Sequence, residues 1–219
     1  MPCRILRGIK CQITLEFPFF SSNRYCMKIS FLASHGGSSA KAIIDAIRSN
    51  LLAAEIGILI TNNRDSSILQ WCLENDVEVH HISAKTHRGD VNADEAIQTV
   101  LRAADTDLVV CSGYMKKIGP ATLRVYPYKI LNIHPALLPK YGGKGMYGDH
   151  VHEAVLAAGE TESGATVHYV TDGIDEGPVI KQHVVPVQPD DTVDTLRQRV
   201  QSCEAGLYLE ALRELLEEN

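Results

Sequence analysis

From residue 28 onward, short apolar runs alternate with stretches of helical periodicity, and this order leaves few folds open. The apolar runs indicate strands at 28–33, 56–61, 77–82, 107–113 and 129–134. The segments between them indicate helices at 40–50, 66–76, 92–104 and 117–126, the second of them capped by Asp65. Strands that are joined through helices pair in parallel, so the sequence predicts an α/β fold with a doubly wound, mostly parallel sheet.

The last third of the chain breaks this alternation. A helix is predicted at 150–159, followed by two β-rich runs at 165–171 and 177–187 with a short turn between them. A short connection joins antiparallel neighbours, so we expect these two strands to be antiparallel. A long helix then covers 192–219, where apolar residues recur every three to four positions and form one apolar face.

No linker rich in proline or glycine divides the chain, so we predict a single domain over residues 28–219. Residues 1–27 have a different character. Their basic start imitates a signal peptide, but Glu16 and Pro18 interrupt the apolar stretch and no small-residue cleavage site follows. We therefore expect a poorly structured extension, with the folded part beginning at Met27.

Composition excludes several classes of protein. The chain has 219 residues, enough for one domain with a full core, and a formal net charge of −6. Basic residues do not cluster as in nucleic-acid-binding proteins, and no apolar run approaches the roughly 18 residues that cross a bilayer. The six cysteines include no CxxC pair and fit free thiols in a reducing compartment. We predict a cytoplasmic protein that binds neither nucleic acid nor membrane.

The first candidate site is the segment SHGGSS at 34–39, between the first strand and the first helix. Gly36 and Gly37 allow a ligand to approach the backbone closely. The N–H groups at a helix start favour an anion, and Ser38 and Ser39 add donors. The segment lacks the GxGxxG pattern of dinucleotide sites. The alternative is a plain glycine turn capped by one of the two serines.

Two further candidates lie later in the chain. Asn132 and His134 are two positions apart at the end of a strand, so their side chains share a face where open α/β sheets bind ligands. The segment TDGIDEGP at 171–178 is an acidic, glycine-rich loop. Taken alone, each fits an ordinary polar pair or a solvated turn. His150 and His152 suggest a metal site, but side chains at i and i+2 do not share a helix face, so we predict no metal.

Together these segments resemble the folate-dependent formyltransferase family. The specific motifs are LNIHPALLPKYGG and HYVTDGIDEGPVI, supported by CSGYMKK and RVQSCEAGLY, and the resemblance covers about residues 28–210. It implies a Rossmann-like formyltransferase fold and 10-formyltetrahydrofolate as the cosubstrate. The catalytic residues that it implies are Asn132, His134 and Asp175. The folate-binding residues that it implies are Met115, Lys116, Ile118, Asn132, Thr171 and Asp172. The residues that it implies for the amine substrate are Gly36, Gly37, Ser38, Ser39, Gln201 and Glu204.

The residue types fit formyl transfer to an amine. As the amine attacks, the formyl oxygen gains negative charge, which an Asn132 N–H and a protonated His134 can stabilise. One such donor is typically worth about 10²–10³ in rate. Asp175 can pair with His134 and organise a water that moves the amine proton to the folate nitrogen, an effect of about 10²–10⁴. Gly173 and Gly177 are expected to let this loop close over the folate.

The sequence departs from the family pattern in two places. His35 and Ser39 stand where the phosphate loop usually has a glycine and an asparagine. The loop at 142–150 is longer than in the commonest members, which brings Lys144 or His150 towards the mouth of the substrate site. Both departures bear on the identity of the amine.

The resemblance implies glycinamide ribonucleotide, an intermediate of purine synthesis, as the amine. The alternatives are a related enzyme for an amino sugar or another amine, and a formyltetrahydrofolate hydrolase. The hydrolases usually carry an N-terminal regulatory domain, for which 27 residues are too few, and methionyl-tRNA formyltransferases add a basic C-terminal domain. A non-catalytic folate-binding protein would not need all three of Asn132, His134 and Asp175. The expected partners are small molecules, and a homodimer is compatible with the resemblance.

Overall fold

The computed structural model of the protein describes residues 26–217. Its strands are β1 (Lys28–Ala33), β2 (Glu55–Thr61), β3 (Val79–His81), β4 (Leu108–Cys111), β5 (Ile130–His134), β6 (Glu162–Tyr169) and β7 (Val179–Pro186). Its helices are α1 (Ser38–Arg48), α2 (Ser67–Glu74), α3 (Asp90–Ala103), α4 (Pro120–Val125), α5 (Asp149–Ala157) and α6 (Val193–Glu217). The predicted extension at residues 1–27 lies, up to residue 25, outside the described residues, so that prediction stays open.

The strands form one sheet in the order β3-β2-β1-β4-β5-β6-β7. The strands from β3 to β5 are parallel, whereas β6 pairs antiparallel with both β5 and β7. The predicted doubly wound, mostly parallel sheet with antiparallel C-terminal strands and a long C-terminal helix is confirmed.

Helices cover both faces of the sheet, because successive strand residues point to opposite sides. On one face, Phe31 and Leu131 of the sheet pack in a core with residues of α1, α2, α5 and α6. On the other face, Leu32 and Ile130 pack in a second core with residues of α3. Each strand that lies between the two cores is thus buried from both sides, which explains why the sequence shows continuous apolar runs.

The start of α2 differs from the prediction. Ser66, not Asp65, is the N-cap residue, with the extended backbone angles of φ −70° and ψ 137°. The physical reason is a turn just before the helix, in which the Asp65 N–H donates to Asn63 Oδ1 at 3.1 Å. Asp65 is used by this turn and lies one residue too early to cap.

The sheet topology creates the site. The parallel strands run outward from the pair β1 and β4, and a crevice opens at the carboxyl ends of neighbouring strands where the winding direction changes. The segment after β1, the segment after β4 and the end of β5 all lie at this edge. Within residues 26–217, no helix is long and apolar enough to cross a membrane.

Candidate active site

A cleft of about 870 Å³ lies at this edge of the sheet. It brings together all but one of the site residues that the family resemblance implies: Gly36, Gly37, Ser38, Ser39, Met115, Lys116, Ile118, Asn132, His134, Thr171, Asp175, Gln201 and Glu204. The exception is Asp172, which does not line the cleft; its side chain is 91% exposed and pairs with Lys117 at 3.2 Å. The loop between β6 and β7 turns Asp175 inward and Asp172 outward, a distinction that the sequence alone does not carry.

Asn132 is oriented by His168, a residue that the sequence analysis did not single out. Asn132 pairs with His168 across the β5–β6 ladder, and Asn132 Nδ2 lies 3.2 Å from His168 Nε2. An amide nitrogen can only donate, so His168 Nε2 is the acceptor and the ring hydrogen is on Nδ1, 3.0 Å from the Tyr169 carbonyl oxygen. Burial lowers the pKa of His168, which favours the same neutral form. One N–H of Asn132 is thereby fixed, and the other stays available to a ligand.

Asp175 is held in the cleft by its loop. Its φ of +58° lies in the left-handed region, which Asp tolerates better than most residues. Its Oδ2 accepts a hydrogen bond from the Gly143 N–H at 3.1 Å and lies 3.4 Å from His134 Nδ1. Its Oδ1 lies 3.7 Å from His168 Nε2, and among the described residues no hydrogen bond reaches this oxygen. Asp175 therefore keeps one carboxylate oxygen for a ligand.

His134 is 4% exposed and uses both ring nitrogens within the protein. Its Nε2 lies 2.7 Å from the Tyr141 carbonyl oxygen, so Nε2 carries a hydrogen and donates. Its Nδ1 lies 3.4 Å from Asp175 Oδ2, so the second ring nitrogen faces that carboxylate. The geometry brings His134 and Asp175 together; the donation from His134 to the formyl oxygen stays a prediction.

The segment after β1 forms an open helix start. The N-cap of α1 is Gly37, with φ +59°, and no side chain caps the helix. A Cβ at Gly37 would lie 2.8 Å from Ile68, so this position requires glycine for both conformation and space. The expected alternative, a turn capped by Ser38 or Ser39, is therefore absent. The first N–H groups of a helix have no intrahelical partner, and Gly37, Ser38 and Ser39 at this helix start line the cleft, where an anion could accept from them.

One side of α6 forms part of the cleft wall. Arg197, Gln201 and Glu204 are one turn apart and all line it. Burial raises the pKa of Glu204 to about 7, so its carboxyl group changes charge near neutral pH. Arg197 Nη1 lies 2.6 Å from Asp149 Oδ1 at the start of α5. This ion pair connects α6 to α5 beside the cleft.

Part of the cleft lining is apolar. Met115 is 51% exposed and Ile174 is 45% exposed, although both side chains are large and hydrophobic. Exposed apolar side chains that line a concave site are typical of a surface that a ligand covers. Lys144 of the longer loop also lines the cleft, whereas His150 does not and pairs with Glu153 at 3.2 Å.

His152 is a second histidine whose place the sequence did not reveal. It is 1% exposed at the wall of the cleft, and its Nδ1 is buried without a hydrogen-bond partner. Burial lowers the pKa of His152. Within residues 26–217, His, Cys, Asp and Glu side chains form no group of three or more that could hold a metal ion.

Comparison with known proteins places this geometry in context. A sequence model of the formyl transferase family matches residues 27–212. The phosphoribosylglycinamide formyltransferase of Escherichia coli K12 is 35% identical over 182 residues, which are 83% of this chain and 84% of that protein. The chloroplastic phosphoribosylglycinamide formyltransferase of Vigna unguiculata is 36% identical over 87% of this chain, which spans only 61% of that protein's length. The solved glycinamide ribonucleotide transformylase 1 of Symbiobacterium toebii aligns with a TM-score of 0.82 and 34% identity, covering 88% of this chain and 89% of the other. Sequence and fold thus point to the same family.

Proposed function

The chain belongs to the formyl transferase family, and from this premise we propose that it transfers the formyl group of 10-formyltetrahydrofolate to the amine of glycinamide ribonucleotide. The observation that carries the proposal is that Asn132, His134 and Asp175 share one cleft with the uncapped start of α1. An amine substrate that carries a phosphate needs an anion site at a fixed distance from the reactive groups. The cleft offers both features.

The folate cosubstrate fits the apolar part of the cleft lining. Met115, Ile118 and Ile174 provide apolar contacts there, and Lys116 and Thr171 provide polar ones. When bound, the folate supplies the electrophilic formyl carbon. The cleft volume of about 870 Å³ is within the range of ligand sites, which are typically about 300–1,000 Å³.

We assign Asn132 to the formyl oxygen. His168 accepts one N–H of the amide, so the side chain cannot rotate freely and its second N–H keeps one direction. A donor that is fixed before the reaction stabilises the negative charge that develops on the oxygen without reorganising during the step. His168 acts here as a positioning residue, because its ring nitrogen holds the Asn132 amide.

We assign Asp175 to the proton of the attacking amine. Its Oδ2 is occupied by the Gly143 N–H, which leaves Oδ1 to accept from the amine or from a bridging water. His134 lies beside this carboxylate and, when protonated, balances its charge. The Tyr141 carbonyl and the Gly143 N–H belong to one short segment, so this segment sets the positions of both groups.

We assign the phosphate of the amine substrate to the N–H groups at the start of α1, with the hydroxyl groups of Ser38 and Ser39 as further donors. Gln201 and Glu204 then face the ribose. His35 is exposed beside the same helix start and adds a hydrogen-bond donor at the position of a family glycine.

The direct test is an assay of the purified chain with 10-formyltetrahydrofolate and glycinamide ribonucleotide, in which mass spectrometry identifies the formylated product. We expect 10-formyltetrahydrofolate to lose its formyl group only when glycinamide ribonucleotide is present. Equal loss without any amine would instead support the hydrolase, and faster turnover with an amino sugar would support that alternative.

A charge substitution tests the phosphate site separately. Ser38→Asp should raise the KM for glycinamide ribonucleotide at least about tenfold, because two like charges about 4 Å apart repel by roughly 1–4 kcal/mol. The KM for the folate should change much less, and the helix should persist because Asp is favoured at helix starts. Val91→Asp, in the first turn of α3 and 73% exposed, is the matched control. An equal rise in both KM values would exclude the phosphate from this loop.

We further propose that the protein is cytoplasmic, needs no metal and forms a homodimer. These are extensions of the family premise. Light scattering on a size-exclusion column tests the assembly, and activity after treatment with a chelator tests the independence from metal.

A further inference from the structure

Ser34 connects the two walls of the cleft. It follows β1 and lies three residues before Gly37, the N-cap of the helix start that we assign to the phosphate. Its side chain is buried, with 2% of the residue exposed. Its N–H donates to the Gly113 carbonyl oxygen at 3.2 Å, and its Oγ accepts from the Met115 N–H at 2.8 Å. Its hydroxyl hydrogen goes to Asn62 Oδ1 at 2.6 Å. The single side chain therefore both donates and accepts. The hydrogen bond that it accepts comes from residues 113–117, the segment after β4 that we assign to the folate and call the folate wall.

A third bond joins the same two segments. The Ala40 N–H, in the first turn of α1, donates to Ser112 Oγ at 3.1 Å. The start of α1 and the segment after β4 are thus connected at three points. Ser34 and Ser112 are both buried, so water competes little for these three hydrogen bonds.

The folate wall has few other anchors. Among the described residues, the remaining hydrogen bond that the structure gives to residues 113–117 joins the side chains of Lys117 and Asp172, which are 58% and 91% exposed. Exposed ion pairs contribute little to stability. Gly113 has φ +65° and Met115 is half exposed, so neither residue adds packing that would fix the segment, whereas Tyr114 between them packs against the second core. Ser34 supplies the buried hydrogen bonds that hold Gly113 and Met115.

We propose that Ser34 couples the two substrate sites, so that the binding of either substrate strengthens the binding of the other. The inference rests on the proposed function, which assigns the phosphate to one wall and the folate to the other. An anion on the N–H groups at residues 37–39 orders the segment that begins at Ser34. Ser34 then holds Gly113 and Met115 in place, and the second ligand meets a wall that is already ordered. The coupling is reciprocal, because it is a free energy shared by both binding steps.

The test is the affinity for one ligand with and without the other. Isothermal titration calorimetry measures the Kd of glycinamide ribonucleotide for the full chain alone and for the chain saturated with folic acid, which carries no formyl group and cannot react. We expect the Kd to fall at least about fivefold when folic acid is present, the lower limit of typical allosteric coupling. Ser34→Ala should reduce this ratio to below about twofold while both ligands still bind.

Ser30→Ala is the matched control. Ser30 lies on β1, which leads to Ser34, is fully buried and also makes two hydrogen bonds, with Thr106 Oγ1 at 2.7 Å and from the Ile58 N–H at 3.2 Å. Its substitution should destabilise the core similarly and leave the coupling ratio unchanged. A merely structural effect would change both variants alike.

Asn62 provides an independent route to the same bond. Asn62→Ala removes the acceptor that orients the Ser34 hydroxyl and should lower the ratio, whereas Asn62→Asp keeps an acceptor oxygen and should preserve it. These variants decide the question if Ser34→Ala does not fold. An unchanged ratio in Ser34→Ala and Asn62→Ala, or no coupling in the unsubstituted chain, overturns the proposal. If neither ligand binds the unsubstituted chain, the proposed function fails, and the coupling fails with it.

Discussion

Single residues in the cleft are held so that selected atoms stay available to the substrates. Asn132 gives one N–H to His168 and keeps the other, and Asp175 gives Oδ2 to Gly143 and keeps Oδ1. In the reaction that we propose, such fixed groups act on the transition state more than on the bound substrate, because the charge that they stabilise appears only during that reaction.

We expect Asn132→Ala, His134→Ala and Asp175→Ala each to lower kcat at least about a hundredfold. The affinity for folic acid should change little, because these residues contribute mainly to the transition state. Steady-state kinetics and calorimetry separate the two effects. His150→Ala, on an exposed residue outside the cleft, should leave both unchanged. Near-normal turnover in two of the three variants would contradict the assigned roles.

Glu204 should make recognition of the amine depend on pH. Its pKa is raised to about 7 by burial, and hydroxyl groups of the substrate donate best to the ionised carboxylate. In Glu204→Gln the group no longer titrates. The ratio of the KM for glycinamide ribonucleotide in the variant to that in the unsubstituted chain should therefore rise, by up to about tenfold, from pH ~6 to pH ~8. Glu210→Gln, exposed on the same helix, is the control, and a ratio independent of pH would contradict this role.

The sequence could predict that Asn132, His134 and Asp175 share one site, but not that His168 orients Asn132. Asn132 and His134 stand out because they are two apart at the end of an apolar strand. His168 sits in an ordinary alternating strand, and its contact with Asn132 depends on the register of two strands whose partners are 36 residues apart. A shift of one residue would turn His168 to the other face.

At the scale of elements, α6 connects the end of the chain to the centre of the site. The Tyr208 hydroxyl donates to the Cys111 carbonyl oxygen at 2.6 Å and lies 3.5 Å from the Leu131 carbonyl oxygen. These carbonyls belong to β4 and β5, beside Asn132. The hydroxyl therefore fixes α6 against the edge of the sheet that carries the site.

Tyr208→Phe should lower the free energy of unfolding by about 1–3 kcal/mol, because it leaves the buried Cys111 carbonyl without this donor. Urea unfolding measures the change. Tyr128→Phe, on a side chain that is 63% exposed, should change the stability by less than about 0.5 kcal/mol. Equal stabilities of Tyr208→Phe and the unsubstituted chain would show that Tyr208 acts by packing alone.

The loop between β6 and β7 shows what sequence patterns leave undecided about an element. The glycines of this loop are expected to serve closure, and that role stays a prediction. The structure adds a different constraint: a Cβ at Gly177 would lie 1.8 Å from the Tyr169 carbonyl oxygen, and a Cβ at Gly173 would lie 2.2 Å from Glu176. Close approach of the backbone thus requires glycine at Gly177, whereas the flexible Glu176 side chain could move away from a Cβ at Gly173. No local sequence rule distinguishes close approach from flexibility.

At the scale of the whole molecule, the alternation of strands and helices predicts the sheet type well, because a helix that follows a strand returns the chain to a parallel neighbour. The order of the strands does not follow from the same pattern. Nothing in the sequence states that the chain passes from β3 back across β2 and β1 to β4, or that β6 adds beside β5. The sequence pattern also misplaces a helix start, since α1 begins at Ser38, two residues before the predicted start.

Two buried histidines link the stability of the whole molecule to pH. Burial lowers the pKa of both His152 and His168, so near pH 6.5, the ordinary pKa of histidine, the folded chain binds fewer protons than the unfolded chain. The free energy of unfolding that depends on their neutral forms is fully present above pH ~6.5 and is lost as the pH falls below it. Glu204 acts in the opposite direction, because its raised pKa makes the folded chain bind more protons between pH ~4.5 and pH ~7. A variant is needed to separate these contributions.

His152→Leu isolates one of them. His152 has Asp149, Arg197 and His134 as charged or titratable neighbours, and its buried Nδ1 has no hydrogen-bond partner. Replacing it by an apolar side chain of similar size removes both the unpaired nitrogen and the titration. We expect the variant to be about 1 kcal/mol more stable at pH ~7.5, since a buried unsatisfied group costs about 1–3 kcal/mol. We also expect it to lose less stability than the unsubstituted chain when the pH is lowered to ~5.5, because one proton fewer is taken up on unfolding. Urea unfolding at both pH values measures the two differences, and His150→Leu, at an exposed position of the same helix, is the control. An identical loss in His152→Leu and the unsubstituted chain would show that the acid sensitivity arises elsewhere.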